Sequence, residues 1–267
     1  MKKIIILLFL FIVFNGCVYQ NSTGLGNVGV DRKQLFLVSS DVMKEGAIDA
    51  YAKVLQEAKK KNTLNKNKKM LSRLRVIAKR LIKHTYIFRK DALKWNWKVN
   101  LITSDNLNAW CMPGGKIVFY TGIIDKLNLN NDEIAAIMGH EIAHALREHS
   151  RERSSQGMLT QSALGVTKEL FGINSQTIDL ASWVTNITIL LPNNRQQETE
   201  SDRMGVELSA RAGYDPYAAV NVWKKMKKLS GKNSPEFLST HPSHDTRIDD
   251  LKTYAKRVEN LYKNASN

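Results

Sequence analysis

The sequence predicts an α+β protein that is mostly helical and holds one small β-sheet. Apolar residues recur at helical spacing from about Asp41, and again through residues 66–86. The pattern then changes to short apolar runs on either side of Pro113-Gly114-Gly115, which is typical of strands bent around a turn. With 267 residues the chain can bury a sizeable core, and one domain is expected.

Each element has its own signal in the sequence. Asn130 or Asn131 caps one helix, and Glu133 is placed to complete a capping box. Pro192 begins a later helix, which ends before Gly213. Strands are predicted in "WNWKVNLITS" and, twice, in "NAWCMPGGKIVFYTG". Helices are predicted at about 41–61, 66–86, 130–150, 157–191 (in two segments), 193–212, 216–229 and 244–262.

The N-terminus, "MKKIIILLFLFIVFNGC", has the layout of an export signal. Two lysines precede the apolar run Ile4–Phe14, which is too short to span a bilayer unaided. Small Gly16 directly before Cys17 resembles the lipobox of bacterial lipoproteins, in which the cysteine is diacylated. We therefore expect a signal peptide over 1–16 and a lipid on Cys17. The alternative is an ordinary cleaved signal followed by a chance cysteine.

The remaining boundaries follow from composition. Residues 17–40 are polar and glycine-rich, as expected for a lipidated N-terminus and flexible tether. A single folded domain is then predicted over 41–262, with a short tail at 263–267. The other cysteine, Cys111, has no partner for a disulfide if Cys17 is acylated, and we expect it to be a buried small hydrophobe.

The chain is strongly basic, since 40 Lys and Arg residues against 25 Asp and Glu residues give a net charge of +15. Such a charge fits nucleic acid, an anionic membrane surface or a lysine-rich proteome. The export signal argues against nucleic acid as a partner. On helix 66–86 the apolar residues share one face and Lys and Arg surround the rest. This basic face is either solvated or lies on anionic lipid headgroups.

The stretch "MGHEIAHALREH" contains a His-Glu-x-x-His pattern. His140 and His144 are one helical turn apart, so both imidazoles can reach one tetrahedral ion, and Glu141 can reach its bound water. The surrounding residues are small and apolar, so the helix should be buried. Two buried histidines and a glutamate need a cation to offset their desolvation. Satisfied core histidines are the alternative.

A catalytic zinc site needs a third protein ligand, and "LPNNRQQETESDRMG" offers three carboxylates. On a helix Glu198 and Asp202 share a face, so Asp202 could accept the ring hydrogen of a ligating histidine. Glu200 lies about 200° from Glu198, on a side that also presents Arg203 and Glu207 and is expected to be solvated. A surface helix with scattered charges is the alternative.

Together these motifs resemble the family of zinc metallopeptidases that includes HtpX, the CAAX prenyl endopeptidases and BepA. The resemblance covers about residues 35–262, and includes an A-G-Y-D-P turn. "NAWCMPGGKIVFYTGII" is similar to the family's N-A-[FW]-x-x-P-G-G-x-I, and "STHPSHDTRI" to its S-x-H-P-x-x-x-x-R-I. Ser201 stands where the family commonly has Ala. The chain most resembles the Oma-like, lipoprotein branch.

The resemblance implies a zincin-like metallopeptidase domain with an active-site helix pair and one Zn²⁺ per chain. Carried over to this sequence, it implies that His140, His144 and Glu198 are the zinc ligands. Glu141 would be the general base, and Asp202 would support a ligand from behind.

His241 matches the family's His-Pro motif, and Pro242 stiffens the loop that carries it. The histidine could stabilise the tetrahedral oxyanion of the reaction, or it could cap the open zinc position in a resting state. Simple packing near the cleft is the third reading. No argument places His84, His149 or His244, which are expected to be surface or packing residues.

Peptide substrates of such enzymes are usually held as an added strand against a sheet edge. The predicted edge and substrate-binding residues are Asn108, Ala109, Trp110, Cys111, Met112 and Pro113. Residues 157–191, which lie between the first two ligands and the third, could form a lid.

The sequence therefore predicts a zinc-dependent endopeptidase of the bacterial cell envelope that cleaves misfolded or unassembled proteins. The alternative is a zinc-stabilised periplasmic chaperone or assembly factor with latent proteolysis. The expected partners are unfolded proteins and a membrane reached through the lipid anchor, with no nucleic acid. The chain should face the periplasm, and Val18 after Cys17, with no acidic retention signal, favours the outer membrane. Oligomeric state stays open.

Overall fold

The computed structural model describes residues 19–164, 179–229, 236–242 and 246–266. The predicted signal peptide and Cys17 lie outside these ranges, as do His244 and residues 165–178 of the predicted lid.

Within these ranges the chain forms short strands and many helices, in agreement with the predicted mostly helical α+β class. The strands are β1 (Tyr19–Gln20), β2 (Gln34–Leu35), β3 (Lys98–Ile102), β4 (Ala109–Met112) and β5 (Lys116–Tyr120). The helices are α1 (Ser40–Lys60), α2 (Lys68–Ile82), α3 (Thr121–Lys126), α4 (Asn131–Leu146), α5 (His149–Leu164), α6 (Leu180–Thr185), α7 (Arg195–Arg211), α8 (Ala218–Leu229), α9 (Glu236–Thr240), α10 (Arg247–Arg257) and α11 (Glu259–Ser266). Short 3₁₀ turns occupy Thr85–Ile87 and Lys90–Lys94, and a π-helical turn spans Asn186–Leu190.

The main sheet has the strand order β3-β5-β4. β5 runs parallel to β3 and antiparallel to β4, so β4 is an edge strand. β4 and β5 form the predicted pair around the glycines: Gly114 and Gly115 adopt φ of 75° and 80°, where a side chain is disfavoured. A second, two-residue ladder between β1 and β2 was not predicted.

The N-terminal segment, residues 19–39, does not behave as the predicted flexible tether. Val28 is only 1% exposed, and its backbone N–H donates to Glu207 Oε2 at 2.9 Å. Gln34 is fully buried and donates from Nε2 to the Arg147 carbonyl at 2.7 Å. Glycines at 26 and 29 adopt positive φ and turn the segment back onto the domain. The glycine content therefore serves specific turns in a packed strap, and the tether prediction is wrong for these residues.

Most predicted helices are present, with caps that fit their sequences. Asn130 and Glu133 form the predicted capping box at the start of α4, and Asn194 forms another at the start of α7. The predicted helix at 244–262 is instead two helices, α10 and α11, that break at Val258. α11 continues to Ser266, so residues 263–266 are helical rather than a separate tail. α9 lies where a loop was predicted.

Helix α4 lies at the centre of the core and packs against α2, α7, α8 and β4. It crosses α7 at two glycines. A Cβ added at Gly205 would lie 2.7 Å from the backbone nitrogen of His140, and one added at Gly139 would lie 2.9 Å from the carbonyl oxygen of Gly205. The two backbones can approach this closely only because both positions lack a side chain.

A second apolar cluster packs α1 and α6 against the sheet. Among the described residues, no helix has both the length and the apolar character needed to cross a bilayer.

Candidate metal centre and active site

Four buried side chains from three parts of the chain converge on one point. His140 and His144 come from α4, Glu198 from α7, and His241 from the residue after α9. One ligand atom from each lies within 4.8 Å of all the others. All four residues are buried, and Glu198 is fully so.

The individual distances show how tightly the donors converge. His140 Nε2 and His144 Nε2 are 3.0 Å apart. Glu198 Oε1 lies 3.2 Å from His144 Nε2, and Oε2 lies 3.4 Å from His140 Nε2. His241 Nδ1 completes the group, at 3.0 Å from Glu198 Oε1 and 3.1 Å from His140 Nε2.

Asp202 sets the tautomer of His140. A carboxylate can only accept hydrogen bonds, so His140 Nδ1 carries the hydrogen and donates it to Asp202 Oδ1 at 2.9 Å. In the neutral ring, Nε2 then presents a lone pair to the other donors. Asp202 is itself held by Arg247, which donates to its two oxygens at 2.6 and 2.8 Å.

A second chain of hydrogen bonds sets the tautomer of His144. Glu200 accepts from His149 Nε2 at 3.0 Å, and burial lowers the pKa of His149, so this ring is neutral and its Nδ1 is an acceptor. His144 Nδ1 must therefore donate to His149 Nδ1, 2.8 Å away. The consequence is that His144 Nε2 also presents a lone pair to the site.

This arrangement fits a cation. Two imidazole lone pairs 3.0 Å apart repel unless a proton or a metal ion lies between them, and the Glu198 carboxylate adds a negative charge. Burial opposes protonation of His140, but Glu198 and Asp202 outweigh it and raise the pKa of His140 to about 9. Two neutral imidazoles and one carboxylate are a donor set that catalytic zinc sites use.

Glu141 faces the same space but does not belong to the donor group. Its Oε1 has no hydrogen-bond partner among the described residues, and His241 Nε2 lies 3.4 Å from it. Burial raises the pKa of the Glu141 carboxyl, which makes its carboxylate a stronger base than that of an exposed glutamate.

Arg247, which the sequence reasoning did not assign, neutralises the carboxylates. Its guanidinium is buried 3.6 Å from the ring centre of Trp223. Besides Asp202, Arg247 contacts Glu198, with Nη1 2.8 Å from Glu198 Oε2. This contact is an ion pair, and Oε2 accepts no hydrogen bond from the described residues. The one available signal was its place in the "STHPSHDTRI" motif.

The prediction that Glu200 faces solvent is wrong. Helical phase does turn it away from Glu198, but the N-terminal segment and α5 cover that side of α7. Glu200 accepts from Arg32, Arg147 and His149, and these partners hold its pKa well below the usual range despite its burial. Glu207, also expected on the solvated side, is fully buried. His149 is likewise a buried partner of His144, and not a surface or merely packing residue.

The predicted substrate strand lies beside the site. Residues Ala109–Met112 form edge strand β4, which packs against α4. All four are buried, as is Asn108, whereas Pro113 is partly exposed. The π-helical turn Asn186–Leu190 covers β4, with Ile189 in the same apolar cluster as Trp110. Cys111 is the expected buried thiol, and burial raises its pKa.

The described residues enclose the site. The loop that carries His241 is tied down by Asn193, whose backbone N–H donates to the Thr240 carbonyl at 2.9 Å. Arg153, partly buried on α5, donates to Asn193 and to the Ile187 carbonyl. The turn Asn186–Leu190 of the predicted lid thus lies against the substrate edge, and Arg153 and Asn193 link it to the His241 loop.

Comparison with known proteins agrees with this geometry. A mitochondrial metalloendopeptidase OMA1 of Schizosaccharomyces pombe is 30% identical over 251 residues, which cover 93% of this chain and 71% of that protein. The OMA1 of Arabidopsis thaliana is 35% identical over 159 residues, 57% of this chain and 30% of that protein. A beta-barrel assembly-enhancing protease of Escherichia coli is 27% identical over 191 residues, 67% of this chain and 37% of that protein.

The chain therefore spans between 30% and 71% of the length of these relatives. The family model for peptidase family M48 matches residues 70–255, a range that contains every member of the donor group and Glu141. The expectation of a zinc metallopeptidase is confirmed at the level of the family. The chain belongs to peptidase family M48.

Proposed function

We propose that the protein is a zinc-dependent endopeptidase of the bacterial cell envelope that cleaves misfolded or unassembled proteins. One observation carries the proposal. The hydrogen-bond partners of His140 and His144 leave both Nε2 lone pairs facing the point on which the Glu198 carboxylate also converges. In the metal-loaded protein His140, His144 and Glu198 would hold the zinc ion.

The chain's own residues divide the work of hydrolysis. Zinc, when bound, would activate a water molecule and polarise the carbonyl of the peptide bond. The Glu141 carboxylate would accept a proton from the attacking water and pass it to the leaving amine. Its free Oε1 and its raised pKa suit this role. Asp202 and Arg247 would hold His140 in place and balance the charge of Glu198.

His241 would cap the metal in a resting state. Its Nδ1 lies among the donor atoms, 3.0 Å from Glu198 Oε1, close to the distances of 3.2 and 3.4 Å between the other two histidines and the Glu198 carboxylate. Occupying that position would leave no room for substrate until the loop tied down by Asn193 moves. The alternative role, stabilising the oxyanion, needs His241 beside the site but outside the donor group.

The replacement His241→Ala separates these roles. We expect faster cleavage of a short unfolded peptide, because the cap is gone while Glu141 and the three ligands remain. A fall in kcat by about 100-fold or more would assign the oxyanion role instead. An unchanged rate would remove both roles.

Unfolded chains are the substrates that this geometry favours. A sheet edge recognises an extended peptide through its backbone, which tolerates many sequences. β4 has such an edge beside α4, and Asn108 to Pro113 would bind the peptide there. The turn Asn186–Leu190 would have to leave β4 first, so it would act as the lid.

The cell envelope is supported by the N-terminus and by one relative. The apolar run Ile4–Phe14 ahead of Cys17 fits export and a lipid anchor, with the chain facing the periplasm. The Escherichia coli relative is named for enhancing β-barrel assembly, which fits a role at the outer membrane. The OMA1 relatives are mitochondrial, so they belong to a different compartment.

The enclosed site also favours a second candidate function, a chaperone or assembly factor whose proteolysis stays latent. Expression of Glu141→Gln in cells that lack the protein and show an envelope-stress defect distinguishes the two. The amide cannot accept the proton, so an endopeptidase should lose rescue while its protein level is unchanged. Full rescue by Glu141→Gln would show that binding, not cleavage, is the function.

A further inference from the structure

The positive charge of the chain is concentrated in one stretch. Residues 59–98 contain 15 of the 40 Lys and Arg residues. They contain only one of the 25 Asp and Glu residues, Asp91. This stretch therefore has a net charge of +14, out of +15 for the whole chain. The rest of the protein is nearly neutral, so a lysine-rich composition alone does not explain the charge.

These basic side chains are available to a partner. Thirteen of the fifteen residues are exposed, and the other two, Arg73 and Arg89, are partly exposed. Carboxylates of the described residues form ion pairs with only two of the fifteen, Lys60 and Arg89. A patch of unpaired like charges repels itself, so it is unfavourable for the isolated molecule and favourable beside an anionic surface.

Helix α2 organises the charges into one face, which we call the basic face. The buried residues of α2 lie on one side. The exposed ones on the other side, together with the C-cap residue Lys83, are Lys68, Lys69, Ser72, Arg75, Val76, Lys79 and Arg80. Val76 is 57% exposed in the middle of these cations. Tyr86, one turn beyond the helix, is 46% exposed.

We propose that the basic face docks on the surface of an anionic phospholipid bilayer. Lys and Arg side chains pair with phosphate headgroups, and isolated apolar and aromatic side chains enter the interface between headgroups and acyl chains. Val76 and Tyr86 suit that interface, whereas duplex nucleic acid offers them no apolar layer. The N-terminal apolar run, which predicts export, also points to a compartment bounded by membranes.

Docking through this face would set the position of the proposed catalytic site. The buried side of α2 packs directly on α4 and α7, which carry His140, Glu141 and Glu198. A bilayer on the exposed side of α2 would therefore lie one helix layer away from the site. The N-terminal anchor would keep the protein near the membrane, and the basic face would fix its orientation.

Vesicle binding by the full chain tests this proposal. We compare vesicles of phosphatidylcholine with vesicles containing about one third phosphatidylglycerol, at low and at moderate salt. The variant Lys68→Gln/Lys79→Gln/Lys83→Gln removes three charges from the basic face. Its matched control, Lys224→Gln/Lys227→Gln/Lys228→Gln, removes three exposed lysines from α8. Circular dichroism confirms that both variants fold.

The proposal predicts that the α2 variant loses at least about tenfold in its partition onto anionic vesicles, and that the α8 variant loses less than about twofold. Binding to phosphatidylcholine alone, which reports the N-terminus, should be equal in all three proteins. Equal losses for the two variants would overturn the proposal, because net charge and not the face would then matter. Unchanged vesicle binding together with lost binding to duplex DNA would overturn it in favour of nucleic acid.

Discussion

At the scale of single residues, the site depends on side chains that do not themselves reach the metal position. His149 accepts the ring hydrogen of His144, and Glu200 in turn fixes His149. Asp202 does the same for His140. A neutral imidazole carries one ring hydrogen. When an outer partner accepts a hydrogen bond from that N–H, the inner ring nitrogen keeps a lone pair that can bind a cation.

Removing the acceptor behind His144 should therefore weaken zinc binding without touching a ligand. For His149→Leu we expect the zinc dissociation constant to rise about 10- to 100-fold. His149→Asn is the matched control, because its side-chain oxygen can still accept from His144, and it should stay within a few-fold of the wild type. The measurement is competition with a chromophoric chelator. Equal affinities for the Leu and Asn variants would contradict this account of the tautomer.

The sequence indicated the inner residues far better than the outer ones. The one-turn spacing of His140 and His144, and the phase of Glu198 with Asp202, follow from helix geometry, and the structure brings these four together. Helical phase also turned Glu200 away from the metal position. Phase cannot say what covers the far side of a helix, and here it is Arg32 of the N-terminal segment.

At the scale of elements, the site depends on how closely the backbones of α4 and α7 approach where the two helices cross. Gly139 and Gly205 meet at this crossing, one residue before His140 and three after Asp202. The backbones are close enough there for side chains of both helices to share one ion. Larger residues would separate the two helices and with them the donor atoms.

The replacement Gly205→Ala tests the crossing. The new methyl group would meet backbone atoms of α4 that cannot turn aside, so we expect the free energy of unfolding to fall by about 1–3 kcal/mol. Zinc affinity should fall as well. Gly157→Ala on α5 is the control, since no atom lies within 4 Å of its added Cβ, and alanine should stabilise that helix by about 0.5–1 kcal/mol. Similar losses in both variants would show that the crossing is not special.

Prediction of elements succeeded where a strong local signal exists. The Asn130 capping box and the glycine turn at 114–115 both lie where the sequence placed them. The N-terminal segment has no such signal, because Val28 and Gln34 are buried by contacts with residues more than 100 positions away. The same holds for α9, where the backbone N–H of Phe237 donates to the carbonyl of Leu107 at 3.0 Å, from 130 positions along the chain.

At the scale of the whole molecule, the basic face and the elements around the metal position lie on different sides of α4. The basic face of α2 is exposed on one side of α4, and on other sides the site is bordered by α7 and the His241 loop, with the turn Asn186–Leu190 beside β4. A peptidase that is enclosed at rest would not degrade native neighbours. If the proposed function holds, movement of the turn and the loop is the step that admits an unfolded chain.

The most direct test of the central claim measures zinc and cleavage in one preparation. The purified protein is stripped with a chelator, and zinc is returned stepwise while hydrolysis of an unfolded protein is followed. We expect cleavage to disappear on stripping and to return in proportion to zinc, saturating at one ion per chain, with Glu198→Gln failing to recover at the same zinc concentration. Cleavage that persists in the stripped protein, or full recovery by Glu198→Gln, would contradict the account.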